Sequence, residues 1–154
     1  FGLTAFTLSL SISASAVGYL IGTSIATRIV VRAGIVRTMG IGAVLMLAGA
    51  VAICAAIAID FDSVIPATFA VALNLVGFGL LFPQAIAGGL SCAAERAGAA
   101  SSLLGFAPQV SAALLSAWVV ASIAQSAWPA AFAVLAMALA VFVLWLPLRL
   151  RPEQ

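Results

Sequence analysis

The amino-acid sequence predicts an all-α protein, a polytopic membrane bundle of five transmembrane helices. Of its 154 residues, 66% are hydrophobic and only 6% are charged, whereas about 25% are charged in an average soluble domain. The mean hydropathy is +1.32. The charged residues cluster in a few short places, and the neutral runs between them are long enough for spans of about 20 apolar residues. Too few polar side chains remain to cover a water-exposed surface, so we expect the chain to lie in lipid.

The first neutral run predicts a helix from about Gly2 to Val30. Within it, Gly18 and Gly22 lie four positions apart, a spacing of small residues that lets helix backbones approach closely in lipid. We therefore expect this helix to pack against others. A short loop from Arg32 to Arg37 follows, with Gly34 as its turn residue.

The second helix is predicted from Thr38 to Ile59. It consists largely of Ala, Val, Leu, Ile and Gly with almost no polar groups, so we expect a lipid-facing support helix. A turn from Asp60 to Ser63 ends it. Ser63 suits the N-cap of the next helix, and Pro66 suits its first turn.

The third helix is predicted from Val64 to Leu90, and it carries Asn74, Pro83 and Gln84. Pro83 has no N–H, so we expect it to kink the helix deep in the span. In a membrane such a break persists only where protein or a water-lined cavity satisfies the freed carbonyl. The third helix should therefore face the interior of a bundle.

The last neutral run is long enough for two helices. After a loop from Glu95 to Gly98, the fourth helix is predicted from Ala99 to Ala124. The segment Gln125–Pro129 divides the run because it combines polar residues, an interfacial Trp and a Pro fit for a helix start. The fifth helix is predicted from about Trp128 to Leu146, where Pro147 and the arginine-containing tail end it.

The arginines predict the orientation. When five spans alternate sides, all six arginines fall on one side, which the positive-inside rule makes cytoplasmic. We expect a multi-pass protein of the bacterial inner membrane with its C-terminus in the cytoplasm and Phe1 on the outer side. An outer N-terminus without a signal peptide implies further spans upstream.

The composition also argues against several functions. There is no His, and the two cysteines, Cys54 and Cys92, are isolated, so we expect no metal, no cofactor and no enzymatic activity. The net charge of +2 is too small and scattered for nucleic-acid binding. No acidic residue falls in a predicted span, so a proton relay is not expected in this part of a transporter.

Two segments resemble a known family. The pattern Gly22-x5-Arg28-x3-Arg32-x-Gly34-x2-Arg37 resembles the cytoplasmic Gly/Arg loop in the second half of the major facilitator superfamily. Position 36 is Val, where that family often has a second basic residue. The stretch 97–105, Ala-Gly-Ala-Ala-Ser-Ser-Leu-Leu-Gly, with Pro83 in the preceding helix, is similar to the bicyclomycin/chloramphenicol-resistance (Bcr/CflA) drug-efflux branch.

The resemblance implies that the five helices correspond to the eighth to twelfth of twelve. Residues 1–154 would then be a partial C-terminal transmembrane domain, with the N-terminal half and the seventh helix as missing partners. Two halves of this fold rock around a mid-membrane site. The family implies export of drug-like small molecules in exchange for protons, with the eighth, tenth and eleventh helices facing the cavity and the ninth and twelfth peripheral.

Three groups of residues are candidates for function, and each has a structural alternative. The polar residues and rings inside the spans are substrate-cavity candidates, or else they pack and hydrogen-bond between helices. The residues of the Gly/Arg loop are gating candidates, or else they only set the topology. The two internal prolines are hinges or fixed kinks. The substrate-cavity candidates are Asn74, Gln84, Gln109, Phe82 and Phe106, with Phe78 and Trp118 as further rings. The gating candidates are Gly22, Arg28, Arg32, Gly34 and Arg37. The candidate hinges or kinks are Pro83 and Pro108.

Other functions remain open from the sequence. A five-helix repeat of the drug/metabolite type matches the number of spans, but not the Gly/Arg loop. A major facilitator transporter of a narrow metabolite and a non-transporting truncated remnant are further alternatives. A membrane-embedded enzyme would need a nucleophile with a base, or metal ligands, and the spans contain neither.

Overall fold

The protein is helical throughout the residues that its computed structural model describes, which are 5–59, 64–123 and 127–150. The elements are α1 (Ala5–Ala58), α2 (Val64–Cys92), a short 3-10 helix (Ala94–Arg96), α3 (Ala97–Ile123) and α4 (Trp128–Leu150). No strand occurs in these ranges. The predicted turn Asp60–Ser63 and the polar residues Gln125 and Ser126 lie outside the described residues.

Four helical stretches of the described chain are long and apolar enough to cross a membrane. They are Ile12–Ala58 with 47 residues, Ile65–Cys92 with 28, Ala97–Val120 with 24 and Trp128–Arg149 with 22. Three of these lengths suit one crossing of a hydrocarbon layer about 30 Å thick. The first would extend about 70 Å if it were straight, which is more than twice the thickness of that layer.

A break at Gly34 interrupts α1. Gly34 has φ 78° and ψ 168°, a region of backbone conformation that is open essentially to glycine alone. The sequence correctly predicted Gly34 as the turn residue. The predicted loop from Arg32 to Arg37 is wrong in extent, because the residues on both sides of Gly34 are helical. Thr38, which is fully buried, donates a hydrogen bond from Oγ1 to the Gly34 carbonyl at 2.7 Å.

The chain folds back at this break, so α1 consists of an N-terminal arm (residues 5–33) and a C-terminal arm (residues 35–58). A Cβ atom on Gly18 would lie 2.6 Å from the Ala72 carbonyl oxygen, and one on Gly49 would lie 2.5 Å from the Asn74 nitrogen. In a straight helix residues 18 and 49 would be about 46 Å apart. Their contacts on α2 are two residues apart, so the two arms pack side by side against α2.

Small residues let these helices approach until their backbones are in contact. A Cβ atom on Gly22 would overlap the Val76 carbonyl, and one on Gly79 would lie 2.5 Å from the Tyr19 carbonyl oxygen. On the other arm, a Cβ atom on Gly77 would lie 2.5 Å from the Met46 nitrogen. The predicted close approach at Gly18 and Gly22 is therefore confirmed, and the approach extends to the second arm.

The C-terminal arm of α1 forms the core of the bundle. Its residues Ala43, Met46 and Ala50 are buried together with Leu81 of α2 and Ala138 of α4. The predicted lipid-facing helix over Thr38–Ile59 thus has one packed side, and its other side is apolar and exposed at Ile41, Val44 and Val51. Absence of polar groups does not place a helix at the periphery of a membrane bundle, because helices pack in lipid through small residues as well as through polar ones.

Helix α4 packs antiparallel to the C-terminal arm of α1. At one end the Trp145 Nε1 donates a hydrogen bond to the Val36 carbonyl oxygen at 2.8 Å. At the other end the Cys54 Sγ lies 3.9 Å from the Ala131 carbonyl oxygen. The predicted end at Pro147 is wrong, because α4 continues to Leu150. A proline removes one backbone hydrogen bond, and membrane helices tolerate this loss when neighbouring groups compensate.

The described arginines lie at one end of the bundle. Gly34 marks the reversal of α1, and Gly88 near the end of α2 lies opposite Ile35. Trp145 near the end of α4 reaches Val36. All these ends therefore meet, and the arginines are close to them in sequence: Arg28, Arg32, Arg37, Arg96 and Arg149. This end is called the arginine end below.

Helix α3 is the least buried element. It begins at Ala97, directly after the 3-10 helix. The predicted loop Glu95–Gly98 is helical instead, because Glu95 and Arg96 belong to the 3-10 helix and Ala97 and Gly98 to α3. Its start meets the end of α2, where a Cβ atom on Gly89 would lie 3.3 Å from the Leu104 side chain. None of the residues from 97 to 120 is buried. That this helix faces a substrate cavity, as the resemblance implies, stays a prediction.

Candidate functional site

Asn74 acts as a bridge between helices. Its Nδ2 donates a hydrogen bond to the Met46 carbonyl oxygen on the C-terminal arm of α1 at 2.8 Å. Gly49 lies against the backbone of the same residue. The amide of Asn74 is thus engaged in packing α2 onto α1, and this contact supports the structural alternative for this candidate.

Phe78 and Phe82 belong to an aromatic stack. Their ring centroids are 4.9 Å apart, and the Tyr19 ring of the N-terminal arm lies 5.9 Å from Phe78. The stack therefore lies where α1 packs on α2. The other two candidate rings are on α3, where Phe106 is 68% exposed and Trp118 is 56% exposed. Neither of them joins the Tyr19–Phe78–Phe82 stack in the described structure.

Pro83 and Gln84 lie in the last third of α2, and the helix continues past both. Gln84 is 8% exposed. It falls between Leu81, which contacts Gly42, and Gly88, which lies opposite Ile35. Gln84 is therefore enclosed near the arginine end of the bundle, one of three buried polar residues in the described chain with Ser15 and Thr38.

Gln109 and Pro108 have the opposite environment, because both are exposed near the middle of α3. At 3.6 residues per turn, seven of the small and polar residues between 101 and 116 share about one third of the helix circumference, whereas Ala107 and Ser111 lie outside that third. We call this the polar face of α3. It consists of Ser101, Ser102, Gly105, Pro108, Gln109, Ala112 and Ser116.

The opposite side of α3 is mostly apolar, apart from Ser111 at its edge. Leu103, Phe106, Val110 and Leu114 lie on the side away from the polar face, and all are exposed. A Cβ atom on Gly105 would meet nothing within 4 Å. Helix α3 therefore presents one lipid-like side and one polar side, and neighbouring described residues cover neither.

The hydroxyl groups and the amide of the polar face differ in one respect. Ser101 donates to the Gly98 carbonyl at 2.9 Å, and Ser102 donates to the Ala99 carbonyl at 3.0 Å. Hydroxyls can bond to their own helix in this way, which reduces their cost in lipid. The amide of Gln109 has no such bond to the described residues. Ser116 of the same face has no such bond to the described residues either. Gln109 is the larger of these two polar groups, because its amide has two donor hydrogens and an acceptor oxygen, so it most needs an external partner.

The arginines of the Gly/Arg loop lie on both sides of the break at Gly34. Arg28, Arg32 and Arg37 are all exposed. Arg28 lines a shallow groove of about 300 Å³ on the N-terminal arm. Arg37 lines a separate groove of about 1010 Å³ together with Arg149 of α4. The structure thus brings these residues to one end of the bundle but not into one site.

Two residues at the arginine end were not candidates from the sequence. Thr38 bonds the Gly34 carbonyl, and Trp145 bonds the Val36 carbonyl. A threonine four residues after a turn glycine is one usable signal, because its hydroxyl can reach the i−4 carbonyl. A Trp four residues before Arg149 at the end of an apolar run is another.

The described residues offer non-covalent chemistry. They contain no group of three His, Cys, Asp or Glu residues that could hold a metal ion. Cys54 is half-buried and Cys92 is exposed, and both are free thiols. These residues could bind a ligand through amides, aromatic rings and guanidinium groups, and within the grooves.

Comparison of the chain with protein-family models, with curated proteins and with solved structures finds no match.

Proposed function

We propose that this chain is the C-terminal part of a major facilitator transporter of the Bcr/CflA type, which exports drug-like small molecules across the inner membrane in exchange for protons. In this proposal the two arms of α1 each cross the bilayer, so the chain crosses five times. These crossings resemble helices eight to twelve of twelve. The polar face of α3, with Gln109 at its middle, is the observation that carries the proposal.

An amide side chain in hydrocarbon has an unfavourable free energy of transfer. Transfer of an amide from water to an environment without hydrogen-bond partners costs about 4–8 kcal/mol. The polar face runs from Ser101 to Ser116, which is about 22 Å along the helix axis and most of the hydrocarbon thickness. A polar stripe of this length on a membrane helix favours contact with a water-filled cavity or with further protein.

The contrast in packing suggests how the parts would move. The two arms of α1 and α2 meet at backbone distance through Gly22, Gly42, Gly77 and Gly79, which favours a rigid unit. Helix α3 meets α2 only near Gly89 and Leu104 among the contacts described above. In the proposal, α3 forms one wall of the substrate cavity, and the N-terminal half of the transporter forms the other.

The orientation follows the arginines. The arginine end is cytoplasmic in this proposal, because positively charged residues are retained on that side. Arg28 and Arg32 end the N-terminal arm of α1 and Arg37 begins the C-terminal arm, so a change in the angle at Gly34 would displace all three. We assign them the role of a cytoplasmic gate that bonds to helix ends in one state of the transporter.

The test is a drug-susceptibility panel in an efflux-deficient bacterium that expresses the full-length protein. We expect Gln109→Ala to lower resistance to the exported drugs about fivefold, which corresponds to the loss of about one hydrogen bond. Val110→Ala is the matched control, because Val110 lies on the apolar side of the same helix turn. Membrane expression of both variants is measured by immunoblot.

Two results would count against the proposal. Equal effects of Gln109→Ala and Val110→Ala would remove the polar face from substrate recognition. No resistance to any drug from the well-expressed wild-type protein would favour a narrow-metabolite transporter or a non-transporting remnant. Uptake assays with labelled metabolites in membrane vesicles would then distinguish these two.

A further inference from the structure

A groove of about 1010 Å³ opens between the C-terminal arm of α1 and α4. It lies at the arginine end, where Ala33 of the N-terminal arm also lines it. Two guanidinium groups line it, Arg37 and Arg149, and no acidic residue is among its described lining residues. The groove therefore combines positive charge from two different helices with no described counter-charge.

Trp145 fixes the position of the groove relative to a bilayer. Its ring lies directly on the backbone at Gly40, where a Cβ atom would overlap it, and its Nε1 is bonded to the Val36 carbonyl. Trp128 and Trp145 lie near the two ends of α4, about 26 Å apart along the helix axis. Such a pair is typical of aromatic residues at the two membrane interfaces. Trp145 thus marks the interface at the arginine end.

Both arginines lie one helical turn beyond that interface. Arg149 is four residues after Trp145, and its guanidinium carbon lies 5.8 Å from the centre of the Trp145 ring. Arg37 is three residues before Gly40, on the side of the break at Gly34. Both charges are therefore at the depth of lipid head groups, where long cationic side chains extend toward water.

The groove continues from the arginines into an apolar wall. Ile41 and Val44 line it and are 41% and 52% exposed. They follow Arg37 along the same arm, so they lie deeper in the hydrocarbon. A ligand that fits the whole groove needs an anionic head at one end and a hydrocarbon chain at the other.

We propose that this groove binds one anionic phospholipid, with its phosphate between Arg37 and Arg149 and an acyl chain along Ile41 and Val44. Basic pockets between membrane helices on the cytoplasmic side are suited to such head groups. The charge complementarity selects an anionic lipid over a zwitterionic one. This inference goes beyond the proposed transport function, since the residues that line the groove belong to α1 and α4 and none to α3. It requires only that the protein lies in a bilayer.

The test uses the full-length protein purified from nanodiscs that contain dioleoyl phosphatidylglycerol and dioleoyl phosphatidylcholine in equal amounts. Native mass spectrometry counts the lipids that remain bound. We expect one phosphatidylglycerol to be retained. Each basic residue near the membrane surface strengthens binding of an anionic lipid. We therefore expect Arg37→Gln or Arg149→Gln to weaken lipid retention about fivefold, and the double variant to weaken it about 25-fold.

Two further variants control for non-specific effects. Arg96→Gln removes a charge at the same end of the bundle but outside the groove, and it should leave retention unchanged. The double variant Arg37→Lys with Arg149→Lys keeps both charges, and it should retain most of the lipid. If the double Gln variant were unfolded, the Lys variant would still test whether positive charge in the groove selects the lipid.

Three outcomes would overturn the proposal. Equal retention of phosphatidylglycerol and phosphatidylcholine would show that charge does not select the ligand. An equal loss from Arg96→Gln and Arg37→Gln would indicate a diffuse surface potential rather than a site. Displacement of the lipid by inorganic phosphate or glycerol phosphate, at the concentration at which the lipid itself competes, would assign the site to a soluble phosphate. None of these results depends on drug transport.

Discussion

The two arms of α1 and helix α3 are comparable in hydrophobicity but differ in packing. The arms contact α2 at backbone distance, and residues such as Ala26, Ala43 and Ala50 are buried to 0–1% exposure. Helix α3 contains no buried residue between 97 and 120, although it carries Gly105 and Ala112 on its polar face. Small residues therefore accompany both the tightest and the loosest helix of the molecule.

This difference shows how small residues act in a membrane helix. Glycine permits close approach, but it does not cause it, because lipid tails are as apolar as the helix surface. The arms of α1 find complementary glycines on α2, such as Gly79 opposite Tyr19 and Gly77 opposite Met46. The polar face of α3 has no such complement among the described residues. Under the proposed function, its complement would be the other half of a transporter.

The largest expected effect comes from the same substitution made on both sides of this comparison. In Gly77→Ala the new Cβ atom would lie 2.5 Å from the Met46 nitrogen, so we expect a loss of about 3 kcal/mol in the free energy of unfolding. In Gly105→Ala the Cβ atom meets nothing within 4 Å. Because alanine favours helix over glycine, stability should rise by up to about 1 kcal/mol. Unfolding of the purified protein by sodium dodecyl sulfate in mixed micelles measures both changes.

Gly105→Ala can also be tested through its effect on drug resistance. If the polar face of α3 meets another helix, this stabilising change should still lower drug resistance, because it adds volume at the contact. Equal destabilisation by Gly77→Ala and Gly105→Ala would show that α3 is packed as closely as α1. The difference in packing between the arms of α1 and α3 would then be wrong.

The second effect concerns the break that separates the two arms. Gly34→Ala forces a Cβ atom into a conformation with φ 78° and ψ 168°, so we expect a loss of about 2 kcal/mol in the free energy of unfolding. Gly88→Ala is the matched control at the same end, because its Cβ atom would lie 3.9 Å from the Ile35 side chain. A stability loss from Gly88→Ala as large as that from Gly34→Ala would contradict this account of the break.

The smallest effect should come from Asn74→Ala. This change removes the hydrogen bond from Asn74 to the Met46 carbonyl, and such bonds in membrane proteins contribute about 0.6 kcal/mol on average. We expect that small loss in stability and unchanged drug resistance, since Asn74 faces α1 rather than the polar face of α3. Loss of resistance with normal stability would return Asn74 to the list of cavity residues.

Part of the candidate site was predictable from local sequence alone. Gly34 was identified as a turn residue because a glycine between arginines and apolar runs has few other roles. Gly18 and Gly22 were identified from their spacing. The start of α4 near Trp128 and Pro129 was also predicted correctly, and α2 ends within two residues of the predicted boundary. All these features depend on residues close in the chain.

Other features depend on partners far away in the chain, and there the predictions were wrong or incomplete. Pro147 does not end α4, which continues to Leu150, because a proline removes only one backbone hydrogen bond of the helix. One side of Thr38–Ile59, with Ala43, Met46 and Ala50, lies in the core, although this segment carries few polar groups. Their burial results from α2 on one side and α4 on the other, which no local pattern indicates.

The sequence by itself determined that the described chain is a set of apolar helices with its arginines near their ends, because hydrocarbon tolerates few charges and requires every backbone group to be bonded within the segment. Only the tertiary structure decided which helix is central, since Ala43 and Ala112 are alike as residues and differ in their neighbours. It also decided that Arg37 and Arg149, more than 100 residues apart in the chain, line one groove. The periodicity of a sequence shows which residues share one face of a helix. A site between two helices depends instead on how the faces of both helices pack together.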